Sequence, residues 1–103
     1  MTKAAQLRAW LLENGFAITG ERLTFEDKYY QTVVARFCGE TERYTEEELF
    51  LGKWNLQSRP PLFAGFVRHE IGVLQRIVDG KSRSAEADAS AERSLKEKLE
   101  QLL

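Results

Sequence analysis

The chain has 103 residues, 43% hydrophobic and 30% charged, which holds one globular domain and argues against disorder. Fifteen Lys and Arg face sixteen Asp and Glu, eight against nine in residues 1–60 and seven against seven in residues 61–103. A strongly basic nucleic-acid module is excluded; a local basic stripe is not.

In chain order, Ala4 to Asn14 reads as a helix whose apolar face holds Leu7 and Leu11, with Ala4 and Trp10 beside them. Asn14-Gly15 stops it, because Gly accepts the left-handed backbone of a helix end. Two strands follow, Phe16 to Phe25 and Tyr29 to Cys38, joined as a hairpin by Glu26-Asp27-Lys28. No Gly is present to supply a positive φ at that turn. Ile18 is out of parity with Leu23 and Phe25, and a bulge at Gly20 restores the phase. The second strand carries Tyr29, Val33, Ala35 and Phe37 at odd positions and Tyr30, Thr32, Val34 and Cys38 at even ones, so both faces ask for cover. A lone two-stranded hairpin cannot supply that cover, which predicts a homo-oligomer for the isolated chain.

Gly39 to Arg43 reads as a polar loop. In Tyr44-Thr45-Glu46-Glu47-Glu48-Leu49, Thr45 caps the Glu48 N–H, Glu48 reaches back, and Tyr44 staples onto Leu49. Gly52 keeps that helix short. Pro60-Pro61 then opens a helix of roughly 28 Å that runs to Gly80. In it Leu62, Phe63, Phe66, Val67, Ile71, Leu74, Ile77 and Val78 recur at three- and four-residue steps. A last helix spans Ala85 to Leu102, and the tight link before it predicts antiparallel neighbours. The predicted fold class is α+β: helix, antiparallel β-hairpin, short helix, then a long antiparallel coiled-coil-like helical hairpin.

Chemistry-bearing motifs are sparse. There is no GxGxxG, P-loop or GxSxG. Single Cys38 excludes an internal disulfide and a Cys-cluster zinc site, and single His69 excludes a His-pair metal site. His69 reads as a surface or packing residue, Cys38 as a buried inert thiol, and Glu46 to Glu48 as a capping cluster. Trp10, Trp54, Tyr29, Tyr30 and Phe50 offer base-stacking surfaces but read more plainly as buried aromatics. Lys81, Arg83, Arg76 and Arg68 lie on the helical hairpin, with Lys81 and Arg83 at its tip, where a phosphate backbone could be touched. No apolar run approaches the roughly 18 residues of a membrane span. The segment Met1 to Leu12 has no signal pattern, which points to the cytoplasm.

The run Leu7-Arg8-Ala9-Trp10-Leu11-Leu12-Glu13-Asn14-Gly15-Phe16-Ala17-Ile18, then Glu21, Leu23, Glu26-Asp27-Lys28-Tyr29-Tyr30 and Val34-Ala35, resembles the C-terminal part of bacterial tRNA (adenine(22)-N(1))-methyltransferases. Gly52, the Pro61-Leu62-Phe63 entry and the paired terminal helices match that layout. Departures are Asp27 joined directly to Lys28 without an intervening Gly, Lys53 in place of a Pro after Gly52, and Arg36 in place of an acidic residue. The resemblance implies an S-adenosylmethionine-dependent, Rossmann-like methyltransferase with a coiled-coil tail that binds tRNA. Residues 1–43 would be the last helix and strand pair of the Rossmann-like domain, and residues 44–103 the helical coiled-coil domain. The cofactor loop and catalytic segment would precede Met1, so no catalytic, cofactor-binding or metal residue carries over and the chain alone would be silent. The competing reading is a non-catalytic interaction and oligomerisation module.

Overall fold

The computed structural model describes residues 2–83 and 88–103, an α+β arrangement of five helices and one two-stranded sheet among them. The chain divides into two compact units, Met1–Phe63 and Ala64–Leu103.

In the first unit, α1 (Lys3–Glu13) starts where the Thr2 hydroxyl accepts the Ala5 N–H at 3.2 Å. It ends at Asn14, with Gly15 in a left-handed conformation, φ 84°. The buried face is Ala5, Arg8 and Leu12, which corrects the expected Leu7–Leu11 face. Leu7 is 49% and Trp10 55% exposed. The helix is turned about its axis because its deepest contact is ionic, as described below.

Strands β1 (Phe16–Glu26) and β2 (Lys28–Phe37) pair antiparallel. Asp27 alone separates Glu26 from its partner Lys28 and takes φ 67°, the backbone role that no glycine was present to fill. Asp is among the few non-glycine residues that tolerate this region. The register shifts between Ile18↔Ala35 and Gly20↔Val34, so Thr19 is the unpaired residue of a bulge. That places Ile18 and Leu23 on the same buried face, as the parity argument requires. Helices α1 and α3 (Lys53–Ser58) rest on β1 on this inner side, where the Trp54 indole N–H donates to the Ile18 carbonyl at 2.9 Å.

The outer face differs from the expectation that both faces of β2 seek cover. The register sets Ala17, Gly20, Arg22, Thr24 and Glu26 of β1 against Arg36, Val34, Thr32, Tyr30 and Lys28 of β2. This surface is mixed and polar, and it stays open: Tyr30 is 47% and Val34 54% exposed. Cys38, just past β2, is exposed as well, which corrects the buried-thiol expectation. The strand ends at Phe37, and the thiol donates to the Glu40 carbonyl at 3.6 Å.

Helix α2 (Glu46–Leu51) carries the predicted capping box, with the Glu48 N–H donating to Thr45 Oγ1 at 3.2 Å and the Thr45 N–H to Glu48 Oε1 at 2.8 Å. Gly52 closes α2 at φ 96° and α3 begins at the next residue. The sequence pattern did not anticipate α3. Arg59, at φ 44°, ends it before Pro60-Pro61.

The second unit holds most of α4 (Phe63–Ser82) and all of α5 (Ser90–Glu100). Phe66, Val67, Leu74 and Val78 are buried along α4, and Leu95 and Leu99 along α5. Each such side chain contributes roughly 1.5–3 kcal/mol. Gly80 does not stop α4, which runs on to Ser82; one glycine costs a helix only about 1 kcal/mol. The expected span Ala85 to Leu102 shortens to α5, and its residues 85–87 lie outside the described residues. Asp88 precedes α5, its carboxylate accepting from the Ser90 N–H at 2.9 Å and the Ser90 hydroxyl at 2.7 Å. These bonds hold the Asp88 carboxyl below its usual range. Lys81 of α4 pairs with Glu92 of α5. A cleft of about 220 Å³ separates Gln75 and Val78 from Arg93, Lys96 and Glu97.

Candidate functional site

Five elements of the first unit converge on the ion pair of Arg8 and Glu21. Arg8 of α1 has no exposed surface. Its Nε donates to Glu21 Oε2 of β1 at 2.6 Å, and its Nη2 to Gln31 Oε1 of β2 at 2.6 Å. Its Nη1 donates to the Leu49 carbonyl at 2.9 Å and the Phe50 carbonyl at 3.5 Å, at the end of α2. The second Glu21 oxygen accepts the Trp54 N–H of α3 at 2.8 Å. A cation beneath the last carbonyls of a helix also meets the negative end of its dipole. Gly52 makes the geometry available, since a Cβ there would come within 2.6 Å of Glu21 Oε1 and 2.7 Å of Arg8 Nη2. Both charges are satisfied from within, so this knot positions the elements around it.

Beside it lies an open cleft of about 450 Å³ between α1 and residues 41–44, with Glu13, Glu42, Arg43, Tyr44 and Leu49 among its walls. Tyr44 and Leu49, the predicted staple pair, share this wall. Burial, then the negative charges of Glu42, Glu21 and Glu48, push the Tyr44 phenol up to about 12, against the opposing charge of Arg8. The Lys53 Nζ stands 5.5 Å above the Tyr44 ring and 3.5 Å from Glu42 Oε2.

The four basic residues singled out from sequence all fall in the second unit. Arg68 and Arg76 are exposed on α4, two turns apart, and Arg83 is exposed just beyond it. Lys81 is engaged by Glu92, whose carboxyl is held below its usual range by that bond. Of the aromatic candidates Phe50 is buried, while Trp10, Tyr30 and Trp54 are 55%, 47% and 41% exposed, a correction to the plain core reading. Trp54 stays near the surface because its ring edge is tied to Ile18. Two exposed cations, Arg22 and Arg36, were not singled out by sequence. They come to one face only once β1 and β2 are placed in register.

Among the described residues, no group of three or more His, Cys, Asp or Glu could hold a metal ion, and no helix is long and apolar enough to cross a membrane. The residues present do not fit S-adenosylmethionine. β1 turns through Asp27 straight into β2 instead of into a helix. β2 does lead to a helix, but the first turn of α2 is filled by its own Thr45–Glu48 box and three carboxylates, which repel the carboxylate of a methionine moiety.

A family model described as tRNA (adenine(22)-N(1))-methyltransferase (TrmK) matches residues 1–103. No curated protein matches the sequence. Among solved structures, the chain is similar to an uncharacterised protein of Listeria monocytogenes serotype 4b, with 28% identity and a TM-score of 0.64 over 96% of this chain and 43% of that one. It is similar to the B. subtilis m1A22 tRNA methyltransferase TrmK, with 20% identity and a TM-score of 0.72 over 96% and 47%. A candidate tRNA (m1A22) methyltransferase of Streptococcus pneumoniae, in complex with S-adenosyl-L-methionine, gives 17% identity and a TM-score of 0.75 over 99% and 44%. At 17% and 20% identity the likeness shows the fold alone. The chain spans less than half the length of these structures. With the family pattern matched from its first residue to its last, this chain belongs to the tRNA (adenine(22)-N(1))-methyltransferase family.

Proposed function

We propose that the chain is the C-terminal region of an S-adenosylmethionine-dependent tRNA (adenine-N1) methyltransferase, contributing tRNA binding and structural support in the cytoplasm. The observation that carries this reading is the family match over residues 1–103. In this reading residues 1–43 are the last helix and strand pair of a Rossmann-like domain. Residues 44–103 are a helical domain whose α4 and α5 form the coiled-coil-like hairpin. The methyl donor and the catalytic groups belong to other residues of a longer enzyme. Methyl transfer to a ring nitrogen requires the base to be held against the donor, and the part of this chain is to grip the RNA that carries the base. Arg68, Arg76, Lys81 and Arg83 are the cations on α4 and its end that supply contacts to phosphate.

The test is a titration of the chain with tRNA at two salt concentrations. Binding that weakens with salt, and weakens further in Lys81→Glu/Arg83→Glu, supports the reading. No binding at low salt overturns it. The second reading, a non-catalytic interaction and oligomerisation module, draws on a sheet with no third strand among the described residues and on the exposure of Phe37, 67%, and Trp10, 55%.

A further inference from the structure

The outer face of the hairpin carries three cations, Arg36 and Lys28 on β2 and Arg22 between them on β1. Following the register, Arg36 stands opposite Ala17, Arg22 opposite Thr32, and Lys28 opposite Glu26. Successive cations are four residues apart along the ribbon, so they recur every 13 Å or so and span roughly 26 Å. Between Arg22 and Lys28 lies Tyr30, 47% exposed and opposite Thr24, with the Lys28 Nζ 5.4 Å from its ring centre. Among the described residues neither Arg22 nor Arg36 enters an ion pair. Glu26 is the one acid on this face, and it sits across from Lys28 at the turn.

This composition decides what can cover the face. Packing it against an apolar layer would bury Arg22 and Arg36 without partners, a cost that apolar contacts from Val34 and Tyr30 do not offset. A polyanion removes that cost, because each phosphate supplies the missing charge and releases its counterions. An exposed ring between the cations adds a surface on which an unpaired base stacks, the combination by which flat sheet faces hold single strands.

We infer that the outer face of the β1–β2 hairpin, through Arg22, Arg36, Lys28 and Tyr30, is a docking surface for a single-stranded stretch of RNA. The inference rests on the reading of the chain as an RNA-binding part of its family, and it adds a surface distinct from Arg68, Arg76, Lys81 and Arg83.

The experiment compares the full chain, Arg22→Glu/Arg36→Glu, Tyr30→Ala and Lys81→Glu/Arg83→Glu by fluorescence anisotropy. The probes are a labelled single-stranded oligoribonucleotide of about twelve nucleotides, a length within the range single-strand sites cover, and a duplex of the same length. The expected result is tighter binding to the single strand. Arg22→Glu/Arg36→Glu should lose about tenfold or more and flatten the dependence on log salt by about two. Tyr30→Ala should lose about fivefold or more on the single strand and little on the duplex. Arg22, Arg36 and Tyr30 are exposed, and unchanged circular dichroism of each variant confirms that the fold persists. Unchanged affinity in Arg22→Glu/Arg36→Glu, with binding lost in Lys81→Glu/Arg83→Glu, overturns this inference and leaves the proposed function standing. Absence of RNA binding by the unaltered chain at low salt overturns both. Variants that alter self-association in sedimentation without altering RNA affinity assign the face to a second copy and overturn it also.

Discussion

Arg8 holds a full charge where it has no contact with water, and its energetics follow from that. A buried ion pair costs several kcal/mol per ion to desolvate, so its net contribution is small while its partners are intact and its loss is large when one is removed. Arg8→Ala or Glu21→Ala should each destabilise the first unit by about 3–5 kcal/mol, because each strands the opposite charge. Arg8→Met/Glu21→Leu should cost much less than the two single changes added together. Urea unfolding followed by far-ultraviolet circular dichroism measures all three, read as shifts in midpoint at constant slope. Additive costs would show that the pair is not coupled. Arg8 also explains why the face of α1 was misjudged from sequence. Leu7 and Leu11 have the i,i+4 spacing of a core stripe, yet the residue at the centre of the buried face is charged. Apolar periodicity has no means of registering a buried arginine whose partners, Glu21 and Gln31, lie on other elements.

At the scale of elements, the features legible in the sequence were those set by neighbouring residues. The Thr45–Glu48 box depends on a three-residue spacing, and the bulge, expected at Gly20 and found one residue earlier at Thr19, on the parity of Ile18 against Leu23. Features set by distant residues were not legible. Helix α3 has no apolar repeat of its own, and its place is fixed by Glu21 accepting the Trp54 N–H and by Ile18 accepting the indole. The outer-face cations of the candidate RNA surface belong to two strands and meet only through the register. Gly52 lies where both kinds meet, ending α2 locally and admitting the Arg8–Glu21 pair globally. Gly52→Ala should destabilise by at least about 1–3 kcal/mol from its backbone conformation alone, and further by displacing the pair. Gly20→Ala is the control, since a Cβ at Gly20 meets nothing within 4 Å. A drop in thermal midpoint confined to Gly52→Ala is the expected outcome, and equal midpoints would refute the packing argument.

For the molecule as a whole, the decisive feature is that among the described residues no third strand pairs with the outer edge of β1 or β2. Leu7, Trp10 and Phe37 add exposed apolar surface, with the Trp10 and Phe16 rings stacked at 6.0 Å and Phe16 edge-on to Phe37 at 5.4 Å. An isolated chain of this kind should associate as its concentration rises. Sedimentation velocity over a concentration series should show a dimer or larger species, shifted toward monomer by Phe37→Lys. A monomer at every concentration, with the strand signal intact, would show that the open edges are tolerated without a partner. The chain covers 43–47% of the length of the solved structures it resembles, so longer family members have residues available to occupy these same surfaces.

The bulge makes Thr19 a residue of β1 whose removal leaves the sidedness of the strand intact. Losing it would yield a straighter ribbon with Ile18 still inward and Arg22 still outward. Losing Arg22 instead would shift Glu21 to the other face, away from Arg8, even where the bulge is absorbed to keep Ile18 inward. Deletion of Thr19 should therefore leave the bond between Arg8 and Glu21 in place, whereas deletion of Glu21 removes it.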